Sequence, residues 1–485
     1  MFRSSLLFLV MLFCLWQGVS AQELSMGRTY YPEKLHQDLE EFRELVHAAH
    51  PDPYRYRTKE QLDLTFDSVK TTINVPLTTD GFVRSMLPVL KAIGDSHCRV
   101  ELSEETLVQM RDRTAMIPIT VKVIDGALYV NDELKGFRSF PQGARLIRIN
   151  GILAGSILER LRNAIVCDGA NLTMADRRIE REFRSLYYLQ IERPSSFDIQ
   201  FEAPDGEIGV ATIFAMTAVD IGNSRKPSGT TTLPWGSRWI PEISTMWLGL
   251  RTMDLDSMRT AGQEPEKFLT SILRELKKNK GAMLVVDLRG AGGRELGMAE
   301  MVFGAIAMEP YRLVENISIR SRTLPSCSKW IADHPEFYLD VNARYPRMLP
   351  DRYGVHPEDD RLTDLQPEGK AFKGKVYVLC DGYTRDAAAA FVMLAKRTRR
   401  ARIVGEEVGT NAYTYTGGRD LIAEAPNSKV RFIVPLMRYT ASGKPSGPLD
   451  HGELPNTELR PDARSIARGA DSVKENLIMY IRETQ

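Results

Sequence analysis

The sequence predicts an α/β protein in which helices cover a mainly parallel sheet, preceded by a helical segment and a smaller strand-rich module. Three observations lead to this prediction. Apolar residues recur at helical spacing up to about residue 111, alternate at strand spacing from about residue 117, and fall into alternating strands and helices from about residue 245. With 485 residues, 43% hydrophobic and 26% charged, the chain is a globular one, long enough for several domains.

The extreme N-terminus has the pattern of a cleavable export signal. Arg3 precedes an unbroken apolar run at residues 6–16, and small residues follow up to Ala21. The run is too short to span a bilayer, which favours a removable signal over an anchor. We therefore predict a signal peptide at residues 1–21 and an exported, periplasmic or extracellular protein with no stable membrane span after cleavage.

The net charge and the spacing of the cysteines argue against nucleic-acid binding and against a zinc site. The formal net charge of +1 gives no overall attraction to nucleic acid, so we expect no nucleic-acid partner. Four cysteines lie beyond the signal, without the CxxC spacing of zinc sites: Cys98, Cys167, Cys327 and Cys380. Export would permit disulfides among them. We expect neither a metal nor a cofactor.

A helical segment is predicted over residues 30–112. Its first helix has apolar residues at helical spacing: Leu35, Leu39, Phe42, Leu45 and Val46. Further helices are predicted at 59–72 and 79–93, the last of them ending at Gly94. The motif IGDSHCRVEL follows directly and places His97 at the end of this helix. A structural role for a lone histidine in that place is the alternative to a catalytic one.

A strand-rich module is predicted over residues 113–215. A hairpin turns at Asp125 and Gly126, a strand, a turn and a helix surround Asn150, and another hairpin ends near Phe214. This order resembles a PDZ-like module, which binds extended peptides by adding a strand to its sheet. The resemblance implies peptide binding by one strand, formed by Arg145, Leu146, Ile147, Arg148 and Ile149. A small mixed domain without a peptide groove remains the alternative.

The remaining chain divides into a linker and a core. Residues 216–243 include a polar stretch rich in Gly, Pro and Ser, which is typical of a linker or mobile loop. Residues 244–485 alternate between apolar strands such as AMLVVDLR and KVYVLC and helices such as 264–278 and 387–396. That alternation predicts the parallel sheet of the core.

Two turns that follow core strands have the composition of an active site. In DLRGAGG, the glycines would let backbone N–H groups approach a ligand, as in an oxyanion hole. In DGYTRDAAAAF, a strand, a tight turn and a helix of small residues form the usual support of a nucleophile. Asp386, however, stands where a serine or cysteine is expected. A simple helix N-cap is the alternative role for this aspartate.

Taken in order, these motifs resemble those of the tail-specific (C-terminal-processing) serine protease family, particularly its branch around the tricorn core and interphotoreceptor retinoid-binding protein. The matching stretches cover most of the chain from residue 34: HPDPYRY, IGDSHCRV, GARLIRINGILAGSIL, MLVVDLRGAGG, KVYVLCDGYTRDAAAAF, RIVGEEVG, APNSKVRFIVPLMRY and HGELPNTELRPD. The resemblance implies a crotonase-like core of the ClpP type, a helical N-terminal segment and a PDZ-like module. It also implies peptide-bond cleavage and, as partners, peptides or protein C-terminal tails.

The resemblance assigns roles to individual residues. His97 would be the general base, with Ser96 as its orienting partner. Backbone N–H groups of Gly292 or Gly293 and of Ala387 would form the oxyanion hole. The third member of the triad has no clean match, and the candidates are Asp450 and Glu453.

Asp386 departs from the family, because it occupies the position of the nucleophilic serine. An aspartate is already ionised, attacks amides poorly, and next to His97 would favour the imidazolium over the free base. We therefore expect a peptide-binding pseudoprotease without classical serine-peptidase turnover. The alternative is an active hydrolase, in which Asp386 and His97 activate water or another serine, such as Ser442 or Ser446, replaces the missing one.

Overall fold

The structure is a computed structural model that describes residues 28–136, 138–224 and 233–484. The predicted signal peptide and the middle of the predicted linker lie outside these ranges. The described chain is a mixed α/β fold. Within it, no helix combines the length and the apolar character needed to cross a membrane.

Helices dominate the first part of the described chain. They are Pro32–Ala49, Lys59–Thr72, Thr79–Ser85, Leu87–Ile93 and Glu104–Arg113, accompanied by the paired strands Thr29–Tyr30 and Leu77–Thr78. The third predicted helix is divided at Met86, because Pro88 stands in the first turn of the following helix and has no N–H to continue the ladder. The apolar residues predicted for the first helix are buried.

A six-stranded sheet follows, which we call the module sheet. Its strand order is Ile119–Ile124, Ala127–Glu133, Arg145–Ile149, Ser196–Glu202 and Ile208–Phe214, and the short strand Ile152–Leu153 also pairs with Arg145–Ile149. The helices Ala154–Ala164 and Leu172–Gln190 pack against it. Both predicted turns are confirmed, since Asp125 and Asn150 each have φ 48° and each is followed by a glycine with positive φ.

The predicted peptide-binding strand lies inside the module sheet. Arg145–Ile149 pairs with Ala127–Glu133 on one side and with Ser196–Glu202 on the other. A strand with neighbours on both sides has no free backbone edge for an added peptide strand. This interior position does not favour strand addition here, and a role of Arg145, Leu146, Ile147, Arg148 and Ile149 in peptide binding stays a prediction.

The core contains the predicted mainly parallel sheet. Its strand order is Trp235–Ile240, Thr245–Leu250, Met283–Asp287, Val376–Cys380, Arg402–Gly405 and Thr457–Glu458, and only the first pair is antiparallel. The first strand lies within the predicted linker 216–243, which also contains the helix Ala218–Ser224. Burial of Trp235 and Ile240 explains why this stretch joins the sheet.

A second core sheet is antiparallel and was not predicted. Its order is Trp330–Ala332, Thr414–Glu424, Arg431–Ala441, Val314–Ile319, Tyr353–Gly354 and Arg347–Met348. Arg99–Glu101, just beyond His97, pairs with Arg431–Ile433 of this sheet. This pairing attaches the N-terminal segment to the core two residues after His97.

Helices complete the core. They are Leu255–Thr260, Pro265–Lys278, Leu296–Gly304, Pro335–Tyr338, Val341–Arg344, Ala387–Arg397, Ala463–Ala467 and Ser472–Glu483, with single 3-10 turns at Pro241–Ile243 and Asp360–Leu362. The helix Ala387–Arg397 is buried along residues 387–395. Its small residues allow this close packing directly behind Asp386.

Candidate active site

Asp386 occupies a strained turn between the strand Val376–Cys380 and the helix Ala387–Arg397. Its backbone has φ 56° and ψ −128°, a conformation that non-glycine residues rarely adopt and that is typical of a nucleophile elbow. The residue stands at the N-cap position, yet its side chain makes no capping hydrogen bond. Its backbone N–H donates to Thr410 Oγ1 at 2.8 Å. The helix-cap interpretation therefore does not account for this carboxylate.

His97 approaches the elbow from the N-terminal segment. The helix Leu87–Ile93 ends at Gly94, whose φ of 67° turns the chain into the loop that carries the histidine. His97 Nε2 lies 3.0 Å from Asp386 Oδ1, and both side chains are largely buried. The two atoms form an ion pair, although their angle does not satisfy hydrogen-bond geometry. The structure thus brings together His97 and Asp386, the two residues that the sequence motifs singled out.

The buried pair favours charge separation. Burial alone would lower the pKa of His97, but the negative charges of Asp386 and Asp95 raise it well above its usual value. Burial would raise the pKa of Asp386, but the charge of His97, with smaller contributions from Arg385 and Arg294, lowers it. Both shifts favour an imidazolium beside a carboxylate, a state in which His97 would have no free lone pair with which to accept a proton.

Asp95 is the residue that contacts the far side of the His97 ring, and it was missed. Its Oδ1 lies 3.6 Å from His97 Nδ1, and its two oxygens accept hydrogen bonds from Thr416 Oγ1 at 2.8 and 2.7 Å. His50 Nε2 lies 3.1 Å from Oδ2. Burial would raise the pKa of Asp95, but His50 and His97 lower it well below its usual value. The signal was present in the motif IGDSHC, where Asp95 stands two residues before His97.

Ser96 does not fill the orienting role that the resemblance assigned to it. Its backbone N–H donates to Asp168 Oδ1 at 2.9 Å, and Asp95 is the carboxylate beside His97 Nδ1. Asp168 Oδ2 accepts a hydrogen bond from the Asn411 N–H at 3.3 Å. Burial and the charge of Asp95 raise the pKa of Asp168. Ser96 therefore supports the loop through Asp168.

One group of described residues could bring metal ligands together. Asp95, His97 and Asp168 each offer a ligand atom, and these atoms lie within 4.8 Å of one another. Their carboxylates, however, already accept hydrogen bonds from protein donors. Such saturation fits a hydrogen-bond network that positions His97 better than it fits a metal site.

The motif HPDPYRY supports the same network. The Asp52 N–H donates to His50 Nδ1 at 3.1 Å, which leaves the proton of His50 on Nε2, facing Asp95. Asp52 also forms an ion pair with Arg438 of the second core sheet at 2.8 Å. The motif thus orients the acid that lies behind His97.

The predicted oxyanion turn lies beside the elbow, but the Ala387 N–H is already used in a hydrogen bond within the protein. The Ala387 N–H donates to the Gly293 carbonyl at 3.1 Å, and the Gly292 carbonyl accepts from the Met253 N–H at 2.6 Å. Asp381 joins the two turns, because its Oδ1 accepts from the Gly290 N–H at 2.9 Å. In this conformation, one of the predicted donors is therefore occupied by a carbonyl oxygen of the facing turn.

The two candidates for a third catalytic acid lie elsewhere. Glu453 is fully buried and pairs with Lys396 at 2.7 Å and Arg397 at 2.9 Å. Asp450 is half-exposed, and its nearest charged partner is His451 at 4.0 Å. Neither carboxylate has a described contact with His97. Their proposed role as the third member of the triad is not supported by these contacts.

The two candidate replacement serines also lie away from the pair. Ser446 Oγ accepts a hydrogen bond from Lys396 at 3.4 Å, and the Ser442 carbonyl accepts from Arg397 at 2.7 Å. In the part of the chain that the structure describes, neither serine has a recorded contact with His97. The geometry therefore does not favour either of them as the nucleophile.

Comparisons with known proteins relate the chain to a peptidase family and to solved structures of similar fold. Residues 251–444 match the model of peptidase family S41. The solved structure of mature CPAF is similar over 93% of this chain and 98% of its own, with 14% identity and a TM-score of 0.64. Mature CPAF complexed with lactacystin is similar over the same shares, with 15% identity and a TM-score of 0.65. At these identities the likeness shows a shared fold. No curated protein matches the sequence.

Proposed function

We propose that this protein, whose residues 251–444 belong to peptidase family S41, is a peptide-binding pseudoprotease of that family. The observation that carries the proposal is the ion pair between His97 and Asp386, 3.0 Å apart at the elbow. Acyl transfer needs a neutral base and a hydroxyl or thiol at this point. Asp386 supplies a carboxylate that holds His97 protonated instead.

A second feature supports the loss of turnover. An oxyanion would develop beside the elbow, where the Asp386 carboxylate already places a negative charge and the Ala387 N–H donates to Gly293. Stabilisation of an oxyanion requires donors aimed at the developing charge. Loss of a catalytic nucleophile in a serine protease lowers turnover by about a millionfold.

The experiment compares the wild type with Asp386→Ser, Asp386→Ala, His97→Ala and the double variant Asp386→Ser/His97→Ala. Each is incubated with labelled, unfolded casein and, separately, with a fluorophosphonate probe. We expect wild type and Asp386→Ala to bind casein without cleaving it and to remain unlabelled. Labelling of Asp386→Ser that requires His97 would show that the elbow lacks only its serine. Casein cleavage by the wild type that His97→Ala abolishes would instead establish the hydrolase alternative.

Export of the protein is part of the proposal. The basis is the apolar run at residues 6–16 followed by small residues up to Ala21. Expression of the full chain in a bacterial host, followed by N-terminal sequencing of the exported fraction, tests it. A mature N-terminus directly after Ala21 is expected, and retention of the uncleaved chain in the cytoplasm would contradict export.

A further inference from the structure

Asp386 has the backbone geometry of a nucleophile, and a carboxylate can itself act as one. The elbow, with φ 56° and ψ −128°, holds the side chain between a strand and a helix. Its Oδ1 lies beside His97 but accepts no hydrogen bond from any described residue. The Asp386 and His97 side chains are 15% and 9% exposed, so a small molecule can reach both from solvent. Carboxylates form covalent intermediates in several classes of enzyme.

The chemistry of a carboxylate limits the electrophiles that Asp386 can attack. Attack on an amide would give an anhydride, which is less stable than the amide itself. Attack on a saturated carbon gives an alkyl ester, which can form and can later be hydrolysed. An epoxide is the saturated electrophile that fits best, because its departing oxygen stays in the molecule and needs only a proton. The proton that the ion pair favours on His97 lies 3.0 Å from Asp386 and can meet that need.

A second hydroxyl donor, Tyr415, lies on the same side of the site. Side chains alternate along a strand, so Tyr415 shares one face of Thr414–Glu424 with Gly417. A Cβ added at Gly417 would lie 3.8 Å from His97 Nε2, which places this face of the strand against the imidazole. The Tyr415 hydroxyl is buried and has no hydrogen-bond partner among the described residues. A ligand oxygen would therefore satisfy a donor that the protein leaves unused.

Tyr415 stays protonated in this environment. Burial, followed by the neighbouring Tyr439 and the charge of Asp386, raises the pKa of Tyr415 well above its usual value. The Tyr439 ring stacks on Tyr415 with centroids 5.3 Å apart and fixes its position. Tyr415 is therefore suited to donate a hydrogen bond to an oxygen that gains negative charge.

We propose that Asp386 is a nucleophile toward epoxides and that this site hydrolyses them to diols. In the first step, an Asp386 oxygen bonds to an epoxide carbon and the ring C–O bond breaks. The electron pair of that bond takes the proton from His97 Nε2, while Tyr415 donates a hydrogen bond to the same oxygen. The products are a neutral hydroxyalkyl ester on Asp386 and a neutral His97. This activity goes beyond peptide binding and requires no amide cleavage.

The second step uses the histidine that the first step has deprotonated. The ester carries no charge, so Asp386 no longer holds His97 protonated, and Asp95 remains 3.6 Å from Nδ1. Water attacks Cγ of the ester and gives one proton to His97. The bond from Cγ to the alkyl oxygen breaks, and the diol leaves with the other proton of that water. Arg385 Nε, buried without a hydrogen-bond partner 4.0 Å from Asp386 Oδ2, can stabilise the oxyanion. The original ion pair is thereby restored.

The test incubates the mature wild type with propylene oxide, a small epoxide, in water labelled with oxygen-18. Mass spectrometry follows the diol and the proteolytic peptide that contains Asp386. Because water attacks Cγ, turnover leaves labelled oxygen on Asp386, and we expect the label there. The peptide with Asp67, whose side chain is 60% exposed, is the internal control and should stay unlabelled. Asp386→Asn and His97→Gln should form no diol above the uncatalysed background.

Tyr415→Phe is the most specific variant. It removes a hydroxyl that makes no hydrogen bond within the described chain, so the stability of the protein should be kept. We expect diol formation to fall by at least about 100-fold, the usual effect of removing one donor from such a site. Tyr480→Phe, in the C-terminal helix Ser472–Glu483, is the matched control and should act as the wild type does.

Each other outcome counts against the proposal. A folded wild type that forms neither diol nor label would overturn it. Label or adducts spread equally over Asp386 and Asp67 would show unspecific alkylation only. A lasting adduct on Asp386 without label would refute the hydrolytic step, and full activity of Tyr415→Phe would refute the role of Tyr415. Thermal melts identify variants that fail to fold. The casein assay reads a different reaction, so the result for peptide cleavage leaves this test unaffected.

Discussion

His97 Nε2 and Asp386 Oδ1 lie 3.0 Å apart, although they are contributed by segments almost three hundred positions distant in the chain. The pair joins the N-terminal segment to the core. Because each group is buried, each depends on the other for its charge. The same contact therefore explains the expected lack of peptidase turnover and predicts how the site responds to substitution and pH.

Asp386→Asn should lower the pKa of His97. Asp386 is the strongest influence that raises this pKa, and its removal leaves burial, which favours the neutral imidazole, less opposed. Titration of the His97 ring by NMR in the wild type and in the variant measures the change. Asp67→Asn, at an exposed ion pair with Arg43, is the control and should leave His97 unchanged. A His97 pKa that is the same in wild type and Asp386→Asn would contradict the pairing.

Asp95→Asn should destabilise the protein by about 3–5 kcal/mol, the usual effect of removing one partner of a buried ion pair. Asp95 is buried between His50, His97 and Thr416, so the variant leaves the His97 charge less compensated. Urea unfolding followed by circular dichroism measures the change. The exposed Asp67→Asn should lose less than about 1 kcal/mol. Equal effects of the two substitutions would refute the positioning role of Asp95.

Gly293→Ala should destabilise the protein strongly. Gly293 has φ 143°, and an added Cβ would lie 2.3 Å from the Met253 carbonyl group. The turn would have to move away from the elbow, at a cost of about 1–3 kcal/mol for the backbone conformation alone. Gly155→Ala is the matched control, because no atom lies within 4 Å of its added Cβ and it stands in a helix. The control should be neutral or stabilising by about 0.4–1 kcal/mol; thermal unfolding compares the two.

Glu406→Gln should alter the pH dependence of stability. Burial, assisted by the charges of Asp381 and Glu180, raises the pKa of Glu406 to about 7, although Arg177 opposes the shift. The folded state therefore binds a proton that the unfolded state has already lost, and the stability from this group falls as pH rises from about 4.5 to about 7. Glu406→Gln should remove this decline. Thermal midpoints at several pH values test it, and parallel profiles for the two proteins would show that Glu406 does not titrate there.

Local patterns predicted much of the secondary structure. The helix Lys59–Thr72, the turns at Asp125 and Asn150, and the parallel core strands follow from periodicity and turn chemistry, which act between near neighbours in the chain. The predictions were least successful where pairing between distant segments determines the position of a strand in its sheet. Arg145–Ile149 became an interior strand, and Trp235–Ile240 joined the core sheet from within a predicted linker. The crotonase-like and PDZ-like identities of the core and module remain predictions.

The sequence by itself determined that Asp386 stands in the turn between an apolar strand and a helix of small residues, and that a histidine motif precedes it far upstream, because residue identity needs no structure. Only the tertiary structure decided what these residues do to one another. The pairing of Arg99–Glu101 with Arg431–Ile433 carries His97 to the elbow, and burial there strengthens its ion pair with Asp386. The tertiary structure also shows that Asp95 contacts His97, whereas Glu453 binds Lys396. Such contacts depend on how distant segments pack, and spacing along the chain does not encode them.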